Sequence, residues 1–228
     1  MTVGSHVIVV TGTDTGVGKT VATSALAVLA RTRGRVAVYK PVQTGTSIGD
    51  GDAQEVRRWS GIDTADVGAE LSEPLAPVTA ARREQRQLPS LDAHVRTVQE
   101  LAATHETVLV EGAGGVLVAL TEAGEGVAEV AAALDADMVV VTRAGLGTLN
   151  HTALTTEALR SRGCRVRGLI VGSWPTQPDL AALCNIDDLP RVTGAKILGR
   201  IPEGIDSLPV TEFRDRAPEW IDTVGWWV

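Results

Sequence analysis

A glycine-rich segment at residues 12–20 constrains the fold of this chain more than any other feature. Its sequence is Gly-Thr-Asp-Thr-Gly-Val-Gly-Lys-Thr, and it stands between four consecutive aliphatic residues at 7–10 and a helical pattern that begins at Val21. Such an aliphatic run is typical of a buried parallel strand. The segment therefore predicts a strand, a phosphate-binding loop and a helix, with Gly16 and Gly18 letting backbone N–H groups face an anion.

The end of this loop carries the side chains that phosphate chemistry needs. In the pattern G-x-x-x-x-G-K-[ST] the lysine reaches the terminal phosphates and the next hydroxyl holds Mg²⁺, which assigns these roles to Lys19 and Thr20. Gly12 stands one residue earlier than the pattern requires, so the loop is one residue longer than the standard form. A solvated turn before a helix is the alternative interpretation, and the flanking strand and helix argue against it.

Composition and charge exclude several classes of partner. The 228 residues are 44% hydrophobic and 21% charged, which fits a single α/β domain over residues 1–228. The net charge of −7, with no run of Lys or Arg longer than two, argues against nucleic-acid and anionic-membrane partners. No signal peptide or long apolar stretch is found, so we expect a cytoplasmic protein. Cys164 and Cys184 lack metal-ligand spacing and are expected to be buried thiols.

Lysine is rare in this chain, because only Lys19, Lys40 and Lys196 occur among 21 basic residues. Lysine places a compact, mobile charge where arginine would place a planar fork. Lys40 directly follows a second predicted strand at residues 36–39. Since ligands of parallel α/β sheets bind at the carboxyl ends of strands, Lys40 and the phosphate loop should face one crevice, and Thr44 adds a hydroxyl nearby.

Strands and helices alternate along the rest of the chain. Further strands are predicted at residues 107–110, 138–142, 166–172 and 196–202. Helices are predicted at residues 53–60, 78–86, 91–104 and 180–189, and another opens at the segment ending at residue 151 and runs to about residue 162. This alternation predicts a doubly wound, mainly parallel sheet.

Three other expectations concern particular segments. Residues 61–89 contain three prolines and predict a loop with one short helix that is a candidate pocket wall. His94 and His105 belong to no motif and are expected at the surface. Trp220, Trp226 and Trp227 are expected to pack in the core or at an interface.

Acidic residues follow two of these elements. Glu111 ends the strand at 107–110 and leads into Gly112-Ala113-Gly114-Gly115, an arrangement suited to holding a metal or a water near a bound ligand. Asp50 and Asp52 lie in a polar loop before the helix at 53–60. Either can reach a metal, and either can instead be a turn residue or a helix cap.

A second anion site is predicted around residues 147–150. A strand ends at residue 142, and a helix opens after Gly147-Thr148-Leu149-Asn150, so exposed N–H groups again meet a helix N-terminus. One such site suits a phosphate and the other a carboxylate.

Four motifs together resemble the dethiobiotin synthetases, of the P-loop NTPase fold, over essentially the whole chain. They are residues 12–20, Lys-Pro-Val-Gln-Thr-Gly at 40–45, Glu-Gly-Ala-Gly-Gly at 111–115 and Leu-Gly-Thr-Leu-Asn-His at 146–151. The resemblance implies a ligase of biotin biosynthesis that converts 7,8-diaminopelargonate, CO₂ and ATP-Mg²⁺ into dethiobiotin, ADP and phosphate. In this family a carbamate forms on one amine, takes the γ-phosphoryl group, and is attacked by the second amine to close a cyclic urea.

The resemblance also implies roles for individual residues. Lys19, Lys40 and Thr15 are the expected catalytic residues. The expected substrate contact within one subunit is Thr44. The expected contacts across a homodimer interface are Gly147, Thr148, Leu149 and Asn150. The expected Mg²⁺ ligands are Thr20, Asp52 and Glu111, with Asp52 chosen over Asp50 by its place in the family pattern. The expected nucleotide contacts are Gly16, Val17, Gly18, Lys19, Thr20, Val21, Asp52, Glu111, Gly112, Ala113, Gly114, Gly172, Ser173, Pro202, Glu203 and Gly204.

One departure from the family concerns the nucleotide base. Many relatives carry an asparagine that contacts adenine after the strand matching residues 169–172, whereas this chain has Gly172-Ser173-Trp174-Pro175. We therefore expect other nucleoside triphosphates to be accepted besides ATP.

Two other function classes remain open at this point. One is a partitioning-type switch ATPase, which normally has a lysine early in the loop, where this chain has Thr13 and Asp14. The other is a different amide- or carboxylate-activating ligase of the same fold.

Overall fold

Seven strands form one sheet in the computed structural model, which describes residues 5–47, 49 and 51–222. The strands are β1 His6–Gly12, β2 Val36–Thr44, β3 Thr64–Leu71, β4 Thr107–Glu111, β5 Asp137–Thr142, β6 Arg165–Trp174 and β7 Ile197–Pro202. They pair in parallel in the order β3-β2-β4-β1-β5-β6-β7. The predicted doubly wound parallel α/β fold is confirmed.

Helices cover both faces of this sheet. They are α1 Lys19–Arg31, α2 Asp52–Ser60, α3 Pro77–Arg83, α4 Leu91–Ala102, α5 Val127–Ala133, α6 Thr148–Arg160, α7 Leu180–Thr193 and α8 Val210–Trp220. Side chains of α1, α2 and α8 pack into the core on one face, and those of α3 to α7 pack into the core on the other.

The central strand β1 shows why the sheet is buried on both sides. Ile8 and Val10 enter one core and Val9 enters the other, all of them fully buried. The continuous aliphatic run is therefore the expected pattern for a strand with helices on both faces. Because β1, β2 and β4 are parallel neighbours, their carboxyl ends bring the phosphate loop, Lys40 and Glu111 to one edge of the sheet.

The edge strand β3 was not predicted from the sequence. Its exposed residues Asp66, Gly68 and Glu70 alternate with buried or half-buried residues, so it has no aliphatic run. Edge strands have one solvated side and often carry charges, which removes the pattern by which central strands are found. β3 leads directly into residues 74–77, which form part of a cavity wall as expected for this proline-containing segment.

Two expectations about individual side chains were wrong. His94 is fully buried, with its Nδ1 atom 2.7 Å from the Tyr39 hydroxyl, because α4 turns it toward β2. Cys164 is buried as expected, but Cys184 is exposed on α7. His105 is partly buried and contacts Thr64.

Other expectations are confirmed or fall outside the described chain. Trp220 is 6% exposed and packs against Phe213 in the core, whereas Trp226, Trp227 and Asp50 lie outside the described residues. Among residues 5–47, 49 and 51–222, no helix has the length and apolar character needed to cross a membrane. The extent of a single domain over residues 1–228 stays a prediction.

Candidate active site

The phosphate-binding loop packs tightly on the end of β6. Gly18 precedes α1 with φ of 92°, and a Cβ atom there would lie 2.6 Å from the carbonyl oxygen of Gly172. A Cβ atom on Gly172 would in turn lie 2.0 Å from the carbonyl oxygen of Val17. Both contacts are shorter than any side chain allows, so glycine at each position fixes the loop against the sheet.

Lys19 is held inside this loop. Its Nζ atom donates to the carbonyl oxygen of Asp14 at 2.8 Å, and the residue is only 7% exposed. Burial, followed by the charge of Lys40, lowers the pKa of the Lys19 ammonium. A bound phosphate would supply the negative charge that compensates both effects.

Lys40 lies between two carboxylates in the interior. Its Nζ atom is 2.5 Å from Asp52 Oδ2 and 2.9 Å from Glu111 Oε1, and it also donates to the Gly112 carbonyl oxygen at 3.0 Å. Burial opposes the charged form, but the carboxylates of Glu111 and Asp52 outweigh it and raise the pKa of Lys40. The ammonium is therefore charged at neutral pH.

Oxygen atoms suited to Mg²⁺ converge beside this ammonium. The Thr20 hydroxyl donates to Glu111 Oε1 at 3.0 Å. Burial alone would raise the pKa of Asp52, but the Lys40 ammonium and the nearby Thr20 hydroxyl have the larger combined effect. The pKa of Asp52 is therefore lowered, and the carboxylate is ionised. Glu111 Oε2 is buried and has no hydrogen-bond partner among the described residues.

These donors fit a hard cation. The described residues contain no cluster of three or more His, Cys, Asp or Glu side chains that could hold a metal ion. Two carboxylates and a hydroxyl supply only part of an octahedral oxygen shell, and Mg²⁺ bound with a nucleotide takes its other ligands from phosphates and water. The unpartnered oxygen of Glu111 is the observation that best matches such a site.

A cavity of about 950 Å³ opens above these groups. Twelve of the predicted site residues line it, namely Thr15, Gly16, Gly18, Lys19, Thr20, Val21, Lys40, Thr44, Asp52, Glu111, Ala113 and Gly114. Apolar residues also line it, namely Val42, Pro74, Leu75, Ala76, Pro77 and Val118. The cavity thus combines a cationic, phosphate-binding end with a surface suited to an aliphatic chain.

Comparisons with known proteins identify the family. A family model described as an AAA domain matches residues 6–210. The ATP-dependent dethiobiotin synthetase BioD of Streptomyces coelicolor is 51% identical over 217 residues, which are 94% of this chain and 91% of that protein. The enzyme of the same name from Saccharopolyspora erythraea is 55% identical over 205 residues, 89% of this chain and 90% of that protein. The chain belongs to the dethiobiotin synthetases. The expectation of an ATP-dependent ligase of biotin biosynthesis is confirmed.

Solved structures resemble this synthetase in fold. MinD from Pyrococcus horikoshii, a septum site-determining protein complexed with Mg-ADP, superposes with a TM-score of 0.58 at 14% identity and covers 98% of this chain and 99% of its own. A ParA family ATPase from Chlorobium tepidum gives a TM-score of 0.57 at 13% identity, with 95% and 90% coverage. These likenesses show the P-loop architecture alone. The sequence relatives therefore decide against the switch ATPase as the family of this chain.

The predicted carboxylate site of the synthetase lies apart from the cavity. Gly147 precedes α6 with φ of 92°, and Gly147 and Asn150 are exposed. The Thr148 hydroxyl instead points inward, 2.7 Å from the Thr142 hydroxyl and the Arg143 carbonyl oxygen. Because this hydroxyl is bonded inside the protein, any contact of Thr148 with substrate is limited to its backbone. Residues 147–150 do not line the cavity.

The predicted base-binding residues form a third region. Trp174 pairs with Pro202 between β6 and β7, and the Glu203 N–H donates to the Trp174 carbonyl oxygen at 2.9 Å. Ser173, Glu203 and Gly204 are exposed. This region adjoins the phosphate loop through the contact of Gly18 with Gly172, but its residues do not line the cavity. The predicted nucleotide contacts Val17 and Gly112 do not line the cavity either.

Two residues of the site were not singled out in the sequence. Gln43 lines the cavity and bonds to the start of α2, and Arg143 donates to Asp14 Oδ2 and to the Thr15 carbonyl oxygen, both at 3.2 Å. Gln43 stands inside the quoted motif at 40–45, and its position there was the available signal. No sequence pattern pointed to Arg143.

Proposed function

We propose that this synthetase closes the ureido ring of dethiobiotin from 7,8-diaminopelargonate and CO₂ at the expense of ATP. The observation that carries the proposal is the Lys40 ammonium, which is buried between Asp52 and Glu111 beside the phosphate loop. A fixed cation next to a phosphate site can stabilise a second anion there, and a carbamate is the anion that this chemistry requires.

The reaction divides into three steps. One amine of the substrate attacks CO₂ and loses a proton, which gives the carbamate. A carbamate oxygen then attacks the γ-phosphorus, the bond to ADP breaks, and a carbamic-phosphoric anhydride forms. The second amine attacks the carbonyl carbon, phosphate leaves with the carbon–oxygen bond electrons, and the amine releases a proton as the ring closes.

The residues of the site match these steps by position and charge. Lys40 stabilises the negative charge of the carbamate and of its anhydride, and Lys19 stabilises the charge on the oxygens of the transferring phosphoryl group. Thr15 and Thr44 line the cavity and would contact the substrate. Thr20, Asp52 and Glu111 would hold Mg²⁺, which when bound neutralises phosphate charge.

The aliphatic chain of the substrate would lie along the apolar wall at residues 74–77. Its distal carboxylate would bind at the N-terminus of α6 in a second subunit. Exposed leucines on α6 and just before it support a homodimer, since Leu146 is 94% exposed and Leu154 is 58% exposed. Large apolar side chains grouped on a surface mark association sites. We place this enzyme, as one domain over residues 1–228, in the cytoplasm.

Substrate-dependent turnover tests the proposal. The purified chain with ATP, Mg²⁺ and bicarbonate should release ADP when 7,8-diaminopelargonate is added, and mass spectrometry should detect dethiobiotin in equal amount. A mono-amine analogue of the substrate serves as the control, because it cannot close a ring. ATP hydrolysis that is independent of the diamine would contradict the proposal.

A further inference from the structure

Gln43 is a buried amide that joins two elements of the active site. It follows Lys40 by three residues on β2 and is 8% exposed. Its Oε1 atom accepts a hydrogen bond from the backbone N–H of Asp52 at 2.8 Å, and its Nε2 atom donates to the Thr44 carbonyl oxygen at 2.9 Å. The side chain therefore links the end of β2 to the first residue of α2.

Helix α2 has no side-chain cap of its own. The residue before it is Gly51, whose carbonyl oxygen accepts from Gln54 and Glu55, while the N–H of Asp52 is satisfied by Gln43 from another element. Unpaired N–H groups at a helix start are normally capped by the residue at the boundary. Gly51 also allows a close approach, since a Cβ atom there would lie 3.3 Å from Gln43 Cγ.

The far end of α2 is fixed by two arginines. Arg31 from α1 donates to the Ser60 carbonyl oxygen at 2.5 Å, and Arg214 from α8 donates to the carbonyl oxygens of Trp59 and Arg58 at 3.0 Å and 2.9 Å. At the near end, the bond from Gln43 is a side-chain contact to the backbone of the first turn. The Asp52 carboxylate belongs to that turn and is 2.5 Å from Lys40.

We propose that Gln43 is a positioning residue for the metal-binding carboxylate of Asp52. It acts through the N-terminus of α2, and it sets the distance of Asp52 from Thr20 and Lys40. Hydrogen bonds that orient metal ligands from outside the coordination shell contribute to metal affinity in this way. The proposal rests on the metal site of the proposed function.

Direct contact of Gln43 with substrate is the competing explanation, because Gln43 lines the cavity. The hydrogen bonds favour positioning. The amide oxygen and the amide nitrogen are both engaged by protein groups, so the orientation of the side chain is fixed by Asp52 and Thr44.

Calorimetry of ADP binding at several Mg²⁺ concentrations tests this role without turnover. Gln43→Met keeps the length of the side chain but removes both hydrogen bonds. We expect the Mg²⁺ concentration for half-maximal ADP binding to rise about tenfold, with ADP affinity in the absence of Mg²⁺ unchanged. Gln54→Met is the matched control, since Gln54 is exposed on the same helix. Thermal unfolding verifies that each variant folds, and Gln43→Asn replaces Gln43→Met if that variant does not.

A double-mutant cycle with Asp52→Asn separates the explanations. If Gln43 acts through Asp52, Gln43→Met has no further effect on Mg²⁺ dependence once Asp52 is an amide. Additive effects, or a normal Mg²⁺ dependence in Gln43→Met while Asp52→Asn shifts it, would overturn the positioning role alone. A normal Mg²⁺ dependence in Asp52→Asn would overturn the proposed metal site, and the positioning role with it.

Discussion

The charge on Lys40 has a shape requirement that can be tested at the residue scale. Three acceptors surround its Nζ atom within 3.0 Å, and the side chain is 3% exposed. A planar guanidinium carries the same charge but cannot place it as close to all three acceptors as a compact ammonium does. Lys40→Arg should therefore fold and bind nucleotide but lose turnover by about a hundredfold or more.

Steady-state turnover and nucleotide affinity, measured on the same preparation, check this prediction. Lys196→Arg is the matched control, because Lys196 is exposed directly before β7. Turnover of Lys40→Arg at the level of the unchanged enzyme would remove Lys40 from the mechanism.

The two carboxylates beside Lys40 are expected to set the Mg²⁺ requirement. Asp52→Asn and Glu111→Gln each replace a charged oxygen ligand with a neutral amide, which a hard cation binds less well. Each variant should need more Mg²⁺ for half-maximal turnover. We expect this rise for Glu111→Gln as well, although Glu111 Oε2 has no hydrogen-bond partner among the described residues. Identical Mg²⁺ titrations in the variants and the unchanged enzyme would mean that the metal binds elsewhere.

Base selectivity depends on a residue that is small in this chain. Ser173 is exposed, and its hydroxyl can donate to or accept from almost any base edge. Phosphate and Mg²⁺ contacts are the same for every nucleoside triphosphate. We expect at least one of CTP, GTP or UTP to be used with kcat/KM within about tenfold of ATP, a difference of about 1.4 kcal/mol. A triphosphate panel at fixed Mg²⁺ measures this, and a preference for ATP above a hundredfold over all three would contradict it.

At the scale of elements, one buried contact links α4 to β2. His94 on α4 meets Tyr39 on β2, and burial lowers the pKa of His94 to about 4. In the unfolded chain a histidine takes up a proton below a pKa of about 6.5. The unfolded state therefore binds more protons between these values, and stability falls as the pH drops from about 6.5 to about 4.

Chemical denaturation across this pH range measures the effect. Between pH 6.5 and pH 4, the free energy of unfolding should fall by on the order of 2 kcal/mol more for the unchanged protein than for His94→Gln. The glutamine retains an acceptor for Tyr39 but does not titrate. His151→Gln, at an exposed site on α6, should behave as the unchanged protein does. Parallel pH profiles for the unchanged protein and His94→Gln would show that His94 protonates freely in the folded state.

At the scale of the whole molecule, the predicted substrate site is divided between subunits. Asn150 is exposed and lies outside the cavity of its own chain. If α6 of a second subunit binds the distal carboxylate, Asn150→Ala should raise the KM for 7,8-diaminopelargonate with little change in kcat, because the contact is remote from the reacting atoms.

The same variant should leave nucleotide affinity nearly intact. Gln99→Ala, an exposed change on α4, serves as the control. Equal losses of substrate and nucleotide affinity in Asn150→Ala would contradict the assignment, and analytical ultracentrifugation of both variants reports whether the dimer persists.

The sequence by itself determined the chemistry and the central strands. Residues 12–20 predicted a strand, a loop and a helix, and the structure has them, because backbone geometry around a phosphate requires glycines at fixed spacing. Aliphatic runs located β1, β2, β4, β5 and β6, since the part of a strand that is buried on both faces is mostly apolar, and most polar residues of these strands lie toward their ends. Local pattern is sufficient for such features.

Only the tertiary structure decided which distant groups meet. Lys40 and Glu111 are 71 residues apart, and their contact depends on the pairing of β2 with β4. The burial of His94, the edge strand β3 and the bond from Gln43 to α2 likewise come from packing between elements. The free energy of such contacts is set by neighbours from elsewhere in the chain, so a local sequence pattern does not contain it.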